Sequence, residues 1–231
     1  MSVLAERYTA LQAQITQAAQ EAGRSPSAVT LVAATKTRSR AEIQAAIACG
    51  ITVCGENRVQ ELCEKLDEFS YDGARVHFIG RLQTNKVKDL VGRVDCIESV
   101  DSVRLLEAIA SRAEKLQLVQ DVMIQVNLAG ELQKGGVSPE ELPVLLRLVD
   151  SCAAVRLVGL MNVAPFPQFV GSNVENFQKM RHLFVDIIPK IVNNKNSISC
   201  LSMGMSADFA DAIRCGATHI RVGTALFGDR S

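Results

Sequence analysis

Residues 30–50 read TLVAATKTRSRAEIQAAIACG and hold one complete strand-to-helix unit. Residues 29 to 35 form a short apolar run that ends at Lys36. The run is continuous rather than alternating, the pattern of a strand buried on both faces. A helix follows: Ser39 is a cap, Glu42 its capping-box partner and Gly50 the stop. Upstream, residues 3 to 22 place Leu4, Tyr8, Leu11, Ile15 and Ala18 on one helical face, and GRSPSAV then breaks that helix.

The unit recurs down the chain. TVCGEN (52–57) is a second strand and RVQELCEKLDEF its helix; VHFIG (76–80) is a third, with a short helix near 85 to 91. VDCIESV (94–100) precedes DSVRLLEAIASRAEKL, DVMIQVNL (121–128) precedes SPEELPVLLRLVDSC, and VRLVGLM (155–161) precedes NVENFQKMRHLFVDII. SISCLSM (197–203) leads to SADFADAIRCG, and THIRVG (218–223) is the eighth run. Strand-then-helix repeated eight times is what a (β/α)8 TIM barrel of the α/β class needs, here with an additional N-terminal helix. An open doubly wound sheet is the alternative, but no GxGxxG follows the first strand. We expect a single domain over residues 1–231, since that length suits one sizeable core.

Composition narrows the function classes. The chain is 48% hydrophobic, has no tryptophan, and balances 25 Lys+Arg against 25 Asp+Glu. Zero net charge supplies no global field toward nucleic acid or an anionic membrane, and Arg and Lys are dispersed without aromatic interleaving. No apolar run approaches a membrane span, and the amphipathic N-terminus is not a signal peptide. Seven cysteines, an odd number with no CxxC pair, read as thiols in a reducing compartment, so the expected location is cytoplasmic. HExxH, Walker and GxSxG motifs are absent, and the three histidines lack metal-ligand spacing, so no metal site is expected.

The chemistry gathers at the strand ends. Lys36 closes the first strand, where a barrel builds its active site; an amine there, stripped of water, attacks an aldehyde. Asn57 ends the second strand and can orient a ring or hydroxyl, while Glu56 beside it can pair with a cation; either can equally be a loop cap. HFIGRLQTNK follows with His77, which reads as a core residue, and with Arg81, Gln83, Asn85 and Lys86 beyond a permissive Gly80. Lys86 and Lys88 are either solvated charges or a basic rim. Ser206 is read as the start of the helix after the seventh strand, with Gly204 freeing the turn; Gly223 and Thr224 offer a second backbone cradle after the eighth. Two such turns side by side suit a phosphate. Arg221, on an otherwise apolar strand, needs a partner if buried: an ion pair, or a ring nitrogen whose protonation it would oppose. Together these features suggest a phosphorylated cofactor held as an imine.

VAATKTR, GENRVQE, HFIGRLQTNK, IESVDS, QVNLAGELQKGG, GLMNVAP, LSMGMSADFADAI and RVGTALFG run nearly end to end, and in them the chain resembles the pyridoxal phosphate homeostasis proteins. These are single-domain relatives of the alanine racemase N-terminal barrel. The resemblance implies pyridoxal 5'-phosphate on Lys36, phosphate contacts from Ser206, Gly223 and Thr224, Arg221 facing the pyridine nitrogen, and Asn57 and Met161 lining the ring pocket. It implies a role in vitamin B6 and amino-acid homeostasis as a non-catalytic cofactor carrier, with cofactor-accepting apoenzymes as partners and a monomer or weak dimer as its state. Alternatives are a weak pyridoxal-phosphate-dependent racemase or lyase, or a protein-interaction module that responds to the cofactor. Racemases of this lineage take a tyrosine from a second domain; this chain closes at Ser231 and its tyrosines, Tyr8 and Tyr71, are not at strand ends, so no catalytic residue is expected. Lys86 and Lys134 are candidates for transient cofactor binding. Two departures from the family pattern, the QKGG at 133–136 and Asn162, fall away from the imine lysine and are expected to touch only the cavity rim.

Overall fold

In the computed structural model, residues 2–192 and 198–228 are described, apart from the side chain of Leu132. Eight parallel strands close into a barrel in sequence order: β1 (Thr30–Ala34), β2 (Val53–Glu56), β3 (Arg75–Phe78), β4 (Cys96–Val100), β5 (Gln120–Val126), β6 (Val155–Asn162), β7 (Cys200–Met205) and β8 (His219–Val222). Closure comes from β1 against β8, with Ala33 opposite Val222. The expected barrel is therefore present and the open sheet is not. The seventh strand was expected from Ser197; that residue lies outside the described residues, and β7 starts at Cys200.

The helices follow in order: α1 (Val3–Glu21), α2 (Arg40–Ala48), α3 (Val59–Asp67), α4 (Val87–Leu90), α5 (Val103–Lys115), α6 (Leu142–Asp150), α7 (Val174–His182), α8 (Ile188–Ile191), α9 (Phe209–Arg214) and α10 (Thr224–Phe227). The extra helix α1 buries Leu11, Ile15, Ala18 and Ala19 and packs against α9 and α10. In α2 the capping box forms as expected: Ser39 Oγ accepts from Glu42 N, and the Glu42 carboxylate accepts from Ser39 N.

The helix after β5 and the stretch after β6 differ from expectation. α6 begins at Leu142 rather than near 138, because Ser138 and Glu141 bond each other's backbone N–H groups in a turn ahead of it. The stretch 173–188 is not one helix. After α7 it widens into a π-type turn at Leu183–Ile187 before α8, where Pro189 lacks the N–H that an unbroken ladder requires.

The main core is the sheath between strands and helices, and includes Ile43, Leu62, Phe78, Leu105, Ile109, Leu142, Leu146 and Phe177. Each such side chain contributes on the order of 1.5–3 kcal/mol by leaving water. The lumen has a different character. A small apolar cluster there, Cys96, Met123 and Met161, is separate from the main core, and several polar side chains are buried with it. Glu98 on β4 accepts from Ser202 on β7 at 2.6 Å, and Arg221 on β8 donates to the carbonyl of Asn162 on β6 at 2.7 Å. The His77 ring of β3 stacks on that of His219 of β8, with centroids 6.1 Å apart. None of these strand pairs are neighbours in the barrel, so each contact crosses the lumen.

Candidate functional site

A cavity of about 410 Å3 opens at the C-terminal ends of the strands. It brings together Lys36, Asn57, Ser206, Arg221, Gly223 and Thr224, six of the residues singled out from the sequence. Lys36 leaves β1 through a turn in which Arg38 N donates to Thr35 O at 3.0 Å and Thr37 adopts φ 63°. Asn57 lies just past β2, and its side-chain Oδ1 is buried without a hydrogen-bond partner. Such an atom asks for a donor from whatever fills the cavity. Glu56 does pair with a cation: Lys65 Nζ sits 2.8 Å from its carboxylate.

Ser206 is placed otherwise than expected. It does not begin a helix; α9 starts at Phe209, with Asp208 at the cap position. Asp208 accepts from Met205 N at 2.7 Å and from Asn173 Nδ2 at 2.7 Å, so the chain stays in a turn through Ser206. A short polar side chain two residues ahead that can bond its own backbone delays the helix. The Ser206 hydroxyl instead bridges to the next turn, accepting from Gly223 N at 3.2 Å and Ala225 N at 3.5 Å. Two backbone donors from the turn after β8 thus converge on one oxygen position. Ala225 went unnoticed in the sequence, since a backbone N–H carries no residue-type signal. Gly204, at φ 89°, meets the expectation of a freed turn: a Cβ there would lie 2.5 Å from that of Ala212.

Arg221 is buried, with 5% of its surface exposed, and forms the polar floor of the cavity. Nη1 donates to Ser202 Oγ at 2.6 Å and Nη2 to Asn162 O at 2.7 Å. Burial pushes its pKa down, against the pull of Glu98 and Asp208. Beneath it, Ser202 donates to Glu98, whose other oxygen lies 2.7 Å from His77 Nδ1. Burial alone would raise the Glu98 carboxyl, but the hydrogen bond and charge of His77, with Arg221 and His219, bring it down to about 2. Burial lowers His219 to about 4, with the His77, Arg75 and Arg221 charges adding to it and Glu98 opposing. His77 is a core residue, as the sequence suggested.

Met161 corrects the expected pocket lining. It is fully buried against Cys96 and Met123 in the lumen and does not reach the cavity; Val163 lines it instead. Phe166 and Pro167 also line the cavity; they belong to PFPQFVGS (165–172), the longest irregular stretch of the sequence, whose place on the C-terminal side of the strands suits an active-site loop. Lys86 and Lys134 are not in the lining; the Lys134 amine is bonded to Glu131 and to Ala164 O. Asn162 is buried and does not line the cavity; its Nδ2 donates to the carbonyl of Val126, its partner on the neighbouring β5. Gly135 and Gly136 take φ 68° and 101°, so the pair suits glycine. Among the described residues no cluster could hold a metal, no helix is long and apolar enough to cross a membrane, and all seven cysteines are free.

The comparisons with known proteins agree with this architecture. Residues 7–231 match the family described as alanine racemase, N-terminal domain. A pyridoxal phosphate homeostasis protein of Aquifex aeolicus is 42% identical over 225 residues, covering 97% of each chain. Its counterpart in Pseudomonas aeruginosa is 36% identical, covering 100% of this chain and 97% of that one. PipY of Synechococcus elongatus, solved with PLP bound, superposes with a TM-score of 0.85 at 34% identity, over 97% of this chain and all (100%) of its own. The same PipY solved without PLP gives 0.86. A diaminopimelate decarboxylase, at 14% identity and TM-score 0.75, shares the fold alone.

Proposed function

The chain belongs to the pyridoxal phosphate homeostasis protein family, kin to the alanine racemase N-terminal domain, and from that premise we propose that it binds pyridoxal 5'-phosphate and serves vitamin B6 homeostasis as a carrier of that cofactor. The observation that carries the reading is convergence in one cavity: an amine, a two-donor oxygen point and a buried guanidinium. The Lys36 amine would hold the group covalently at its aldehyde carbon. Ser206 and the backbone of Gly223, Thr224 and Ala225 hold the phosphate. Ser206 Oγ marks where the N–H groups of Gly223 and Ala225 point, and its hydroxyl would turn to donate to an anion there.

The bound group supplies an electron-withdrawing ring. Arg221 would set a fixed positive charge against the ring nitrogen, which would oppose protonation there and leave the ring a weaker electron sink. Its floor position is secured by Ser202, Asn162 and Glu98. The unpartnered Oδ1 of Asn57 takes a donor from the ring substituents. Neither tyrosine enters the cavity; Tyr71 is buried against Glu56, which supports a carrier over a racemase. The carrier works in the cytoplasm as a monomer or weak dimer over residues 1–231, handing the cofactor to apoenzymes.

The test is an absorbance spectrum of the purified protein beside Lys36→Ala, before and after borohydride. A visible imine band in the wild type, fixed covalently by reduction and missing from the variant, is the expected result. No band after incubation with excess pyridoxal phosphate would sink the reading. Turnover of an amino acid that vanishes with Lys36→Ala would replace the carrier with an enzyme.

A further inference from the structure

Lys36 owes its direction to a turn that its own sequence disfavours. In residues 35–38, Arg38 N closes on Thr35 O at 3.0 Å, and Thr37 is the third residue of the turn, at φ 63°. A positive φ at that position marks the type II class, where glycine or asparagine is the usual occupant. Thr37 is β-branched, and for such a residue the left-handed region is an outlier that surrounding contacts must hold.

The contacts come from α3. Glu61 Oε1 accepts the Thr37 N–H at 2.5 Å. Lys65 Nζ donates to Thr35 O at 2.8 Å, to Glu61 Oε1 at 2.7 Å and to Glu56 Oε2 at 2.8 Å. Glu56, fully buried, also accepts from Tyr71 OH at 2.9 Å and Thr35 Oγ1 at 3.1 Å. So the residues on either side of Lys36 are each gripped, one through its N–H and one through its carbonyl. Lys65 is itself only 8% exposed. Burying an ammonium requires acceptors on every side, and this one has three, of which one is the backbone of the turn. Neither Glu61 nor Lys65 lines the cavity, so neither is placed to touch a ligand.

We propose that Glu61 and Lys65 are positioning residues, a clamp from α3 that holds the turn at 35–38 so that the Lys36 amine enters the cavity aligned for an aldehyde. The proposal rests on the reading that Lys36 carries pyridoxal phosphate. The clamp contributes no atom to the condensation; the amine nitrogen joins the aldehyde carbon and the carbonyl oxygen leaves as water. Its share is orientation, which is the part of such a step a protein most readily supplies.

Two ligands separate alignment from binding: pyridoxal 5'-phosphate, which condenses, and pyridoxamine 5'-phosphate, which has no aldehyde and cannot. Their affinities are to be measured on wild type, Glu61→Ala, Glu61→Gln and Glu61→Ala with Thr37→Gly, and the share of Lys36 fixed by borohydride read by peptide mass. In Glu61→Ala we expect affinity for pyridoxal phosphate to fall about tenfold while that for pyridoxamine phosphate stays within about twofold. Glu61→Gln keeps an acceptor for the Thr37 N–H and should recover most of the loss. Thr37→Gly, which takes a positive φ freely, should recover part of it in the Glu61→Ala background. Equal losses for both ligands, or none for either, with wild-type Lys36 still fixed, would overturn the clamp alone. Wild-type Lys36 left unlabelled would overturn the cofactor reading and the clamp with it.

Discussion

A methyl group added at Gly80 would sit 2.1 Å from the backbone oxygen of Asn57. The obstacle is backbone, so it cannot swing aside as a side chain would. Gly80→Ala should lower stability by about 1–3 kcal/mol in urea titrations and weaken pyridoxal phosphate binding as Asn57 shifts. Ser202 is as constrained by hydrogen bonding as Gly80 is by space. Its hydroxyl donates to Glu98 and accepts from Arg221, so Ser202→Ala strips a partner from two buried charges. Unfolding free energy should drop by about 1–3 kcal/mol; a change within error would remove Ser202 from the floor. At this scale residue type was readable but depth was not. Lys36, Asn57 and Arg221 stood out because each is polar at the end of an apolar run. Met161 and Val163 share the same side of their strand by the two-residue repeat. Which one reaches the cavity depends on how far β6 is shifted along the barrel, with Met161 level with Ser202, and no local pattern records that shift.

Whole elements were more legible, because their signals are local. The capping box at Ser39 and Glu42 is a pattern of four residues and formed as read. Ser39→Ala should lower stability by about 1 kcal/mol while leaving the pyridoxal phosphate titration unchanged. If cofactor affinity falls too, α2 shapes the site rather than only the scaffold. The failures have equally local causes that compete with a stronger signal. Apolar periodicity through 173–188 hides the break that Pro189 imposes. The acidic and polar run SAD suits a helix start at Ser206, but the Asp208 carboxylate bonds back to the Met205 N–H and holds the turn, so the helix starts after it.

The molecule as a whole carries a charged lumen, and this was the least legible feature. Glu98 and Ser202 are 104 residues apart, so neither announces the other in the sequence. The lumen makes the fold acid-sensitive, and the sign follows from the direction of each shift. His219 is lowered from 6.5 to about 4, so between these values the unfolded chain binds a proton that the folded chain resists, because the ring is buried and His77, Arg75 and Arg221 disfavour the added charge against the pull of Glu98. Stability therefore falls as pH drops through that window, by about 3 kcal/mol if the shift is fully expressed. Glu98, lowered from 4.5 to about 2, adds a further loss in the range between those values. Urea unfolding across the window should show this slope in the wild type and a flatter one in His219→Gln. Equal slopes would move the acid response elsewhere.

The closure of the sheet has one more consequence. β1 and β8 are the first and last strands, and they meet only because the barrel shuts. Lys36 extends from one and the turn of Gly223 from the other. A ligand anchored to both is a rivet across the seam where the staves of the cask are joined. Loading should then slow amide hydrogen exchange most at the β1–β8 pairing, and far less at β4–β5 on the other side, so that cargo and hoop are the same object: a full carrier is a tightened one.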